Sequence, residues 1–474
     1  MAIFIHSSAA SRGRLHYGLW AVAFAFFTVL AFSTVPTPLY ALYQLRDGFS
    51  TFMITVIFAA YALGVVAALF FVGHVSDWFG RRRSLLPAIG FALLSAVVFL
   101  FWRAAIGLIV ARVISGIGVG MMTATATAHI ADLDRAHRPG SGSRRAQVVA
   151  TVANLGGLGA GPLIAGLLVQ YEGRPLATPF IVFLAVLAAA LIAVASTPET
   201  VTVSSPAPRY RPQRVAVPET ARGRYIGAAL AGVAAFSVFG LLTALAPSLL
   251  AGTLHEHSHL LAGIPAFAAF SAAVVAQLTS SRWPLRRQLL LGMVAMITGI
   301  VLVVLAVWLP ALAPFMVGAV AAGFGAGLLF KGGIATVSQI ATKANLAESL
   351  AGFFLASYLG LTVPVLGLGI LAQLIALRLA LLIFAALVVA GAIAAVSVAV
   401  PARPQSISDS PSGARPDSEL AVGDVADVIA EPNHEQGSDQ RNPDQAGALH
   451  GLYRHGAAAH LLDQCPEDVA TVER

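Results

Sequence analysis

The sequence predicts an all-α membrane protein of twelve transmembrane helices, arranged as two pseudo-symmetric six-helix bundles. Three observations lead there. Apolar residues make up 58% of the chain and charged residues 11%. Soluble domains carry about 25% charged residues, so a soluble fold built from this chain would lack a polar coat. Apolar runs of membrane length recur from one end of residues 17–400 to the other. Short motifs also return at a single offset of 204 positions: Ala31-Phe32-Ser33 as Ala235-Phe236-Ser237, Arg82-Arg83 as Arg286-Arg287, and Leu155-Gly156 as Leu359-Gly360. A common register inside matching segments points to a duplicated bundle, and parallel repeats of this kind place a binding site between the halves near mid-membrane.

A spanning helix needs about 20 mostly apolar residues. The first candidate, 17–38, is too long for a cleaved signal peptide, and further spans follow it directly. It carries Thr28, Ser33, Thr34 and Thr37, with Tyr40 just beyond its end, polar groups expected to line the cavity. The second, 51–72, leads into the Arg-rich loop 73–83, and the third is 84–102. The fourth, 105–129, holds Arg112 well inside the span, followed by Gly116, Gly118 and Gly120. A buried arginine is costly in a membrane, so it is expected to face a watery cavity or a partner. The glycines are expected to pack helices closely. The fifth, 146–169, contains Gly157, Gly159, Gly161-Pro162 and Gly166, where a bend is expected at the proline. The sixth is 177–196.

The Pro- and Arg-rich stretch 201–223 reads as a linker between an N-terminal bundle, 1–200, and a C-terminal bundle, 224–400. The seventh span, 225–250, carries Ser237 and Thr243. His255-Glu256-His257-Ser258-His259 precedes the eighth, 260–279; it reads as a solvated loop, and no metal site is expected. The ninth is 288–309. The tenth, 312–336, repeats the glycine run as Gly323, Gly325 and Gly327 and holds Lys331, expected to serve the cavity or to snorkel to the surface. The eleventh and twelfth are 350–373 and 377–400. Residues 401–474 are polar and acidic, a composition expected to stay disordered.

Charge sets the expected orientation. The loops after the even-numbered spans carry Arg81, Arg82, Arg83, Arg138, Arg144, Arg145, Arg282, Arg286 and Arg287, whereas the other side has Arg46, Arg103, Arg174 and Arg378. The positive-inside rule then places both termini in the cytoplasm. The net charge of +7 hides a split: residues 1–400 hold 24 basic and 9 acidic residues, and residues 401–474 hold 5 and 13. Basic residues confined to short loops between spans speak for topology and against a nucleic-acid partner. The single cysteine, Cys465, excludes an intrachain disulfide.

The loop 73–83 resembles the signature between the second and third helices of the major facilitator superfamily. Gly73, Asp77, Gly80, Arg81 and Arg82 fit that pattern, and Trp78 departs from it, since a basic residue is usual there. The resemblance covers about residues 15–400 and implies a conformational latch. Asp77 would cap the start of the eleventh helix near Ser349, and Arg81 would pair with an acid at the inner end of the fourth, Asp132 or else Asp134. It also implies a cavity-facing Arg112, tied to proton coupling in some members. The glycines from Gly157 to Gly166 resemble the later part of the antiporter motif of twelve-helix drug–proton exporters; Val148 stands where an earlier glycine belongs.

The resemblance therefore implies a secondary active transporter in the bacterial cytoplasmic membrane, exporting small amphiphilic molecules or drugs by proton antiport. It would be a monomer without cofactor or metal. The alternatives are a sugar or metabolite transporter on the same fold, importers included, and a non-transporting membrane sensor. No histidine, carboxylate or serine cluster converges within the spans as an enzyme would need.

Overall fold

The computed structural model describes residues 9–72, 75–140, 142–201, 213–218, 221–256, 258–342 and 345–399. Among them, twelve helices are long and apolar enough to cross a membrane. In chain order, the first six spans are Gly13–Asp47, Thr51–Phe71, Arg81–Phe101, Ala105–His137, Arg144–Tyr171 and Thr178–Ala195. The last six are Arg222–Ala244, His259–Arg282, Leu285–Trp308, Leu312–Ile340, Leu346–Leu374 and Leu377–Ala399. The chain is an all-α, multi-pass membrane protein. Residues 401–474, most of the linker, Gly73 and His257 lie outside the described residues.

Helix ends and apolar ends do not coincide. The fourth span was expected over 105–129, yet its helix continues to His137. At helical rise its 33 residues measure about 50 Å, against a hydrocarbon core of about 30 Å. Hydropathy marks where lipid stops, and backbone hydrogen bonding carries the helix past that point.

Prolines interrupt the first and seventh spans. Pro36 has no N–H, so the helix Ala9–Thr34 stops and a second helix, Pro36–Asp47, begins. The seventh span, expected as one helix over 225–250, likewise stops at Ala244, and a short helix, Ala246–Gly252, follows with Pro247 in its first turn.

The fifth span departs from regular geometry earlier than the Gly161-Pro162 step expected to bend it. A π-helical turn occupies Val152–Gly156, immediately before the helix Gly157–Tyr171 that contains Pro162. The missing N–H of Pro162 leaves the carbonyl of Leu158, four residues back, without its helical donor. Thr34 Oγ1 lies 2.9 Å from that oxygen and donates to it. The eleventh span repeats the device: Pro364 frees the Gly360 carbonyl, and Ser237 Oγ donates to it at 2.9 Å. In both halves a hydroxyl on the first helix satisfies a carbonyl that a proline has freed on the fifth. Thr34→Val and Ser237→Ala are each expected to cost about 1 kcal/mol, the usual worth of an interhelical hydrogen bond in a membrane. A lowered melting temperature in detergent would show it, and unchanged melting in both variants would mean that those carbonyls find other donors.

The glycine runs wedge two helices between their neighbours. Residues i and i+4 share a helix face, while i+2 lies about 200° round. Gly116 and Gly120 accordingly abut the second span at Gly64 and Val65, and Gly118 abuts the third at Ala88. In the tenth span Gly323 and Gly327 abut Ala269 and Ala273 of the eighth, and Gly325 abuts Gly292 and Met296 of the ninth. The first six spans meet the last six chiefly along two pairs, the second against the eleventh and the fifth against the eighth, with smaller contacts where the first span meets the seventh and eighth. Linker residues cross the first of these pairs: the Gln213 N–H donates to Phe70 O at 2.9 Å and the Ala216 N–H to Glu348 O at 3.4 Å.

Candidate functional site

A cavity of about 630 Å³ lies between the first and last six spans, within the usual range for small-molecule sites. At its deep end the first six spans contribute Leu30, Ser33, Thr34, Phe58, Tyr61 and Arg112. The last six contribute Phe236, Phe239, Thr243, Phe270 and Tyr358. Toward the end that carries the Arg-rich loops, hereafter the basic end, the lining becomes more polar, with Thr127, Gln147 and Gln277. Thr127 and Gln147 are exposed, so the cavity opens there. The opposite end is packed shut. Thr37, Tyr40, Tyr43 and Leu249 are buried in it, and Ser248 Oγ meets Gln44 Oε1 at 2.6 Å. Beside them the His259 N–H donates to Gln170 Oε1 at 3.0 Å.

Arg112 is held at the deep end by the break in the first span. A helix leaves its last four carbonyls without intrahelical donors, and its C-terminus carries negative dipole charge. Arg112 Nη1 donates to one of these carbonyls, Ser33 O, at 2.5 Å. Its guanidinium carbon sits 4.6 Å from the centre of the Tyr61 ring and 5.6 Å from that of Phe58. These distances are within cation–π range. The side chain is 3% exposed, and its Nε is buried without a hydrogen-bond partner.

A second polar cluster sits at the basic end around the start of the third span. Arg81 Nε pairs with Asp132 Oδ2 of the fourth span at 3.3 Å, and Arg81 Nη1 donates to Ser76 Oγ at 2.9 Å. Asp132 also takes Arg135, while Asp134 is engaged by Arg145 at 3.4 Å, so of the two candidate acids it is Asp132 that meets Arg81. Arg82 Nη1 reaches Thr197 O at the end of the sixth span, 3.1 Å away. Gly80 has φ +115°, a conformation that disfavours any side chain, and a Cβ there would lie 2.7 Å from Glu199 Oε2. The Asp77 side chain and all of Gly73 lie outside the described residues.

The model of the Major Facilitator Superfamily matches residues 22–311. The chain belongs to the Major Facilitator Superfamily. Two curated relatives are uncharacterized MFS-type transporters. One, from Mycobacterium tuberculosis, is 32% identical over 160 residues, 33% of this chain and 26% of that protein. The other, from Methanocaldococcus jannaschii, is 27% identical over 177 residues, 37% of this chain and 45% of that protein. The matched segments thus span less than half the length of these relatives. Among solved structures, the human organic anion transporter MFSD10 is similar with a TM-score of 0.59 and 16% identity, covering 80% of this chain and 99% of that one. The nucleoside transporter NupG is similar with a TM-score of 0.60 and 14% identity, covering 81% and 99%. At these identities the likeness speaks for the fold.

Within this superfamily fold, Thr37 and Tyr40, expected at the cavity, lie elsewhere, and of the two readings of Lys331 its contacts favour the surface one. Thr37 and Tyr40 are buried in the closed end, because the helix that carries them restarts at Pro36 and packs against its counterpart after Leu245. Lys331 does not line the cavity. Its Nζ donates to Gln277 O and lies 3.3 Å from both Ser280 Oγ and Ser281 Oγ, so it caps the last turn of the eighth span. Two of the helix-five glycines touch the first span, Gly157 at Phe27 and Leu30 and Gly161 at Ala31 and Thr34, while Gly159 and Gly166 touch the eighth at Phe270 and His259. Among the described residues no group of three metal-ligating side chains comes together.

Glu199, in the Pro198-Glu199-Thr200 stretch that by sequence discriminates little, joins this cluster. Its carboxylate accepts from the backbone N–H of Arg81 at 2.8 Å and of Arg82 at 3.1 Å, capping the third span from the end of the sixth. A signal for it exists in the sequence. The third span opens Arg81-Arg82-Arg83 with no acidic residue in its first turn, so its free N–H groups need a carboxylate from elsewhere. Glu199→Ala is expected to cost about 1–2 kcal/mol, as for loss of a helix cap, and Glu199→Gln less. Thermal unfolding in detergent measures both. An alanine variant that melts like wild type would remove Glu199 from the cluster's support.

Proposed function

We propose that this MFS protein is a secondary transporter of small organic molecules that works by alternating access. Residues 15–200 would rock against residues 224–400 around the cavity, with the basic end and both termini on the cytoplasmic side of a bacterial membrane. The observation that carries this reading is a cavity between the two sets of spans, open at the basic end and shut at the other. Gly73, Asp77, Gly80, Arg81, Arg82 and Asp132 would form the latch at the basic end, with Glu199 holding its frame.

The cargo would be a metabolite-like organic molecule. The similar folds include one named for organic anions and one named for nucleosides. A second reading, export of drugs by proton antiport, is favoured by the aromatic deep lining and by the glycines facing the first span. Against it, no Asp or Glu lines the cavity among the described residues to carry the proton.

Counterflow in proteoliposomes tests the proposal. Purified protein would be offered labelled nucleosides, aromatic acids and cationic dyes, with and without an imposed proton gradient. Saturable exchange of one class, indifferent to the gradient, supports a metabolite carrier. Gradient-driven dye movement moves the assignment to drug antiport. No exchange of any class by monodisperse, folded protein sinks the transport reading.

A further inference from the structure

The cavity contains a buried cation and, among the described residues, no carboxylate to balance it. Arg112 is 3% exposed at the deep end. The carboxylates nearest to it along its own helix are Asp132 and Asp134, which lie at the basic end and are engaged by Arg81, Arg135 and Arg145. Among the described residues, no acidic side chain lines the cavity or pairs with Arg112. A guanidinium out of water is costly unless an anion and full hydrogen bonding compensate it. Ser33 O supplies one bond, and the faces of Tyr61 and Phe58 supply partial negative charge. Nε still has no partner. The site is therefore built to receive a negative group, and guanidinium suits a planar carboxylate because it offers parallel donors.

The opposite wall says what such a molecule would carry besides its charge. Phe239 stacks on Phe270 with ring centres 4.5 Å apart and planes 7° apart, and Phe236 meets Phe330 at 5.1 Å. These rings line the cavity together with Tyr358. They offer apolar faces to a flat, hydrophobic body and few groups for the many hydroxyls of a sugar.

We propose that the substrate is an aromatic or amphiphilic organic anion, with its acid group against Arg112 and its apolar body among these phenylalanines. This rests on the cavity being the transport site. The test uses sets of probes matched in shape and differing in charge: 1-naphthoate, 1-naphthamide and 1-naphthylmethylammonium, with benzoate and indole-3-acetate and their amides alongside. Binding to protein in nanodiscs is measured by calorimetry, and movement by counterflow. At least one carboxylate is expected to bind about tenfold or more tighter than its amide, the worth of a hydrogen bond to a charged group. The ammonium probe is expected to bind more weakly than either. Arg112→Gln should erase the preference, and Arg112→Lys, which keeps a point charge, should retain part of it.

Failure of every carboxylate to bind overturns the assignment. So does an amide or ammonium binding as tightly as its acid, or a preference that persists in Arg112→Gln. Should Arg112→Gln not fold, the wild-type charge series and Arg112→Lys still decide. Carboxylate binding that depends on Arg112 without counterflow would remove the transport reading and leave Arg112 as the site of a bound organic anion that is not carried across. Counterflow of neutral aromatics with no preference for the acids would do the reverse.

Discussion

Gly116→Val is expected to leave almost no correctly assembled protein in the membrane. The second and fourth spans cross at Gly64 and Gly116 with their backbones in contact. A Cβ on Gly116 would collide with the carbonyl of Tyr61 and lie 3.0 Å from Gly64 Cα, and a Cβ on Gly64 would collide in the same way with the carbonyl of Val113. The obstacles are backbone atoms, so no rotamer change relieves them and the helices must separate. Within membranes helices associate through close packing because lipid is as apolar as they are, and separation forfeits the contact outright. Gly116→Ala is expected to cost about 3 kcal/mol, the upper end for overpacking by one carbon. Gly90→Ala, on a face with nothing within 4 Å, serves as control and is expected to change stability by less than about 0.5 kcal/mol. Melting temperature and the monodisperse fraction on size exclusion report both. Gly116→Ala with wild-type melting would mean that the two spans do not cross as closely as described.

Locking the closed end is expected to stop transport completely. Gln44 and Ser248 sit on the short helices that follow the proline breaks, and their side chains touch at 2.6 Å across the two sets of spans. They lie 204 residues apart, the same offset as the sequence repeat, so equivalent positions of the two halves meet each other. Alternating access requires this contact to part whenever the far side opens. In a Cys465→Ser background, Gln44→Cys with Ser248→Cys should transport while reduced. After treatment with a short bis-maleimide, flux should fall to background. The two single-cysteine proteins, treated alike, should keep their flux. Cross-linked protein with normal counterflow would show that this end does not open in the cycle, and the alternating-access proposal would fall with it.

Much of the architecture was legible because it follows from properties of contiguous residues. The cost of placing a peptide in lipid depends on its own side chains, so hydropathy located all twelve spans. It misplaced their ends where helices run on past the apolar stretch, as at His137, or restart at proline, as at Pro36. The Arg81–Asp132 pairing was legible through resemblance, with Asp134 left as a rival until Arg145 was found to occupy it. Lys331 was legible as a cation at depth, but whether it served the cavity or a helix end depended on which residues of the eighth span faced it.

Glu199 had no legible role because it acts on Arg81 and Arg82, more than a hundred positions away. The same distance hid Thr34 and Ser237, whose hydroxyls serve prolines on other helices. Sequence by itself determined the all-helical membrane fold, the number of spans, the duplicated order and the basic loops, since hydropathy, proline chemistry and charge are local quantities. Only the tertiary structure decided that Arg112 meets the Ser33 carbonyl, that the cavity opens at the basic end and that Tyr40 lies in the closed one. In each case a polar group takes as partner whatever a non-adjacent helix presents, and helix packing, unlike hydropathy, is a property of the whole chain.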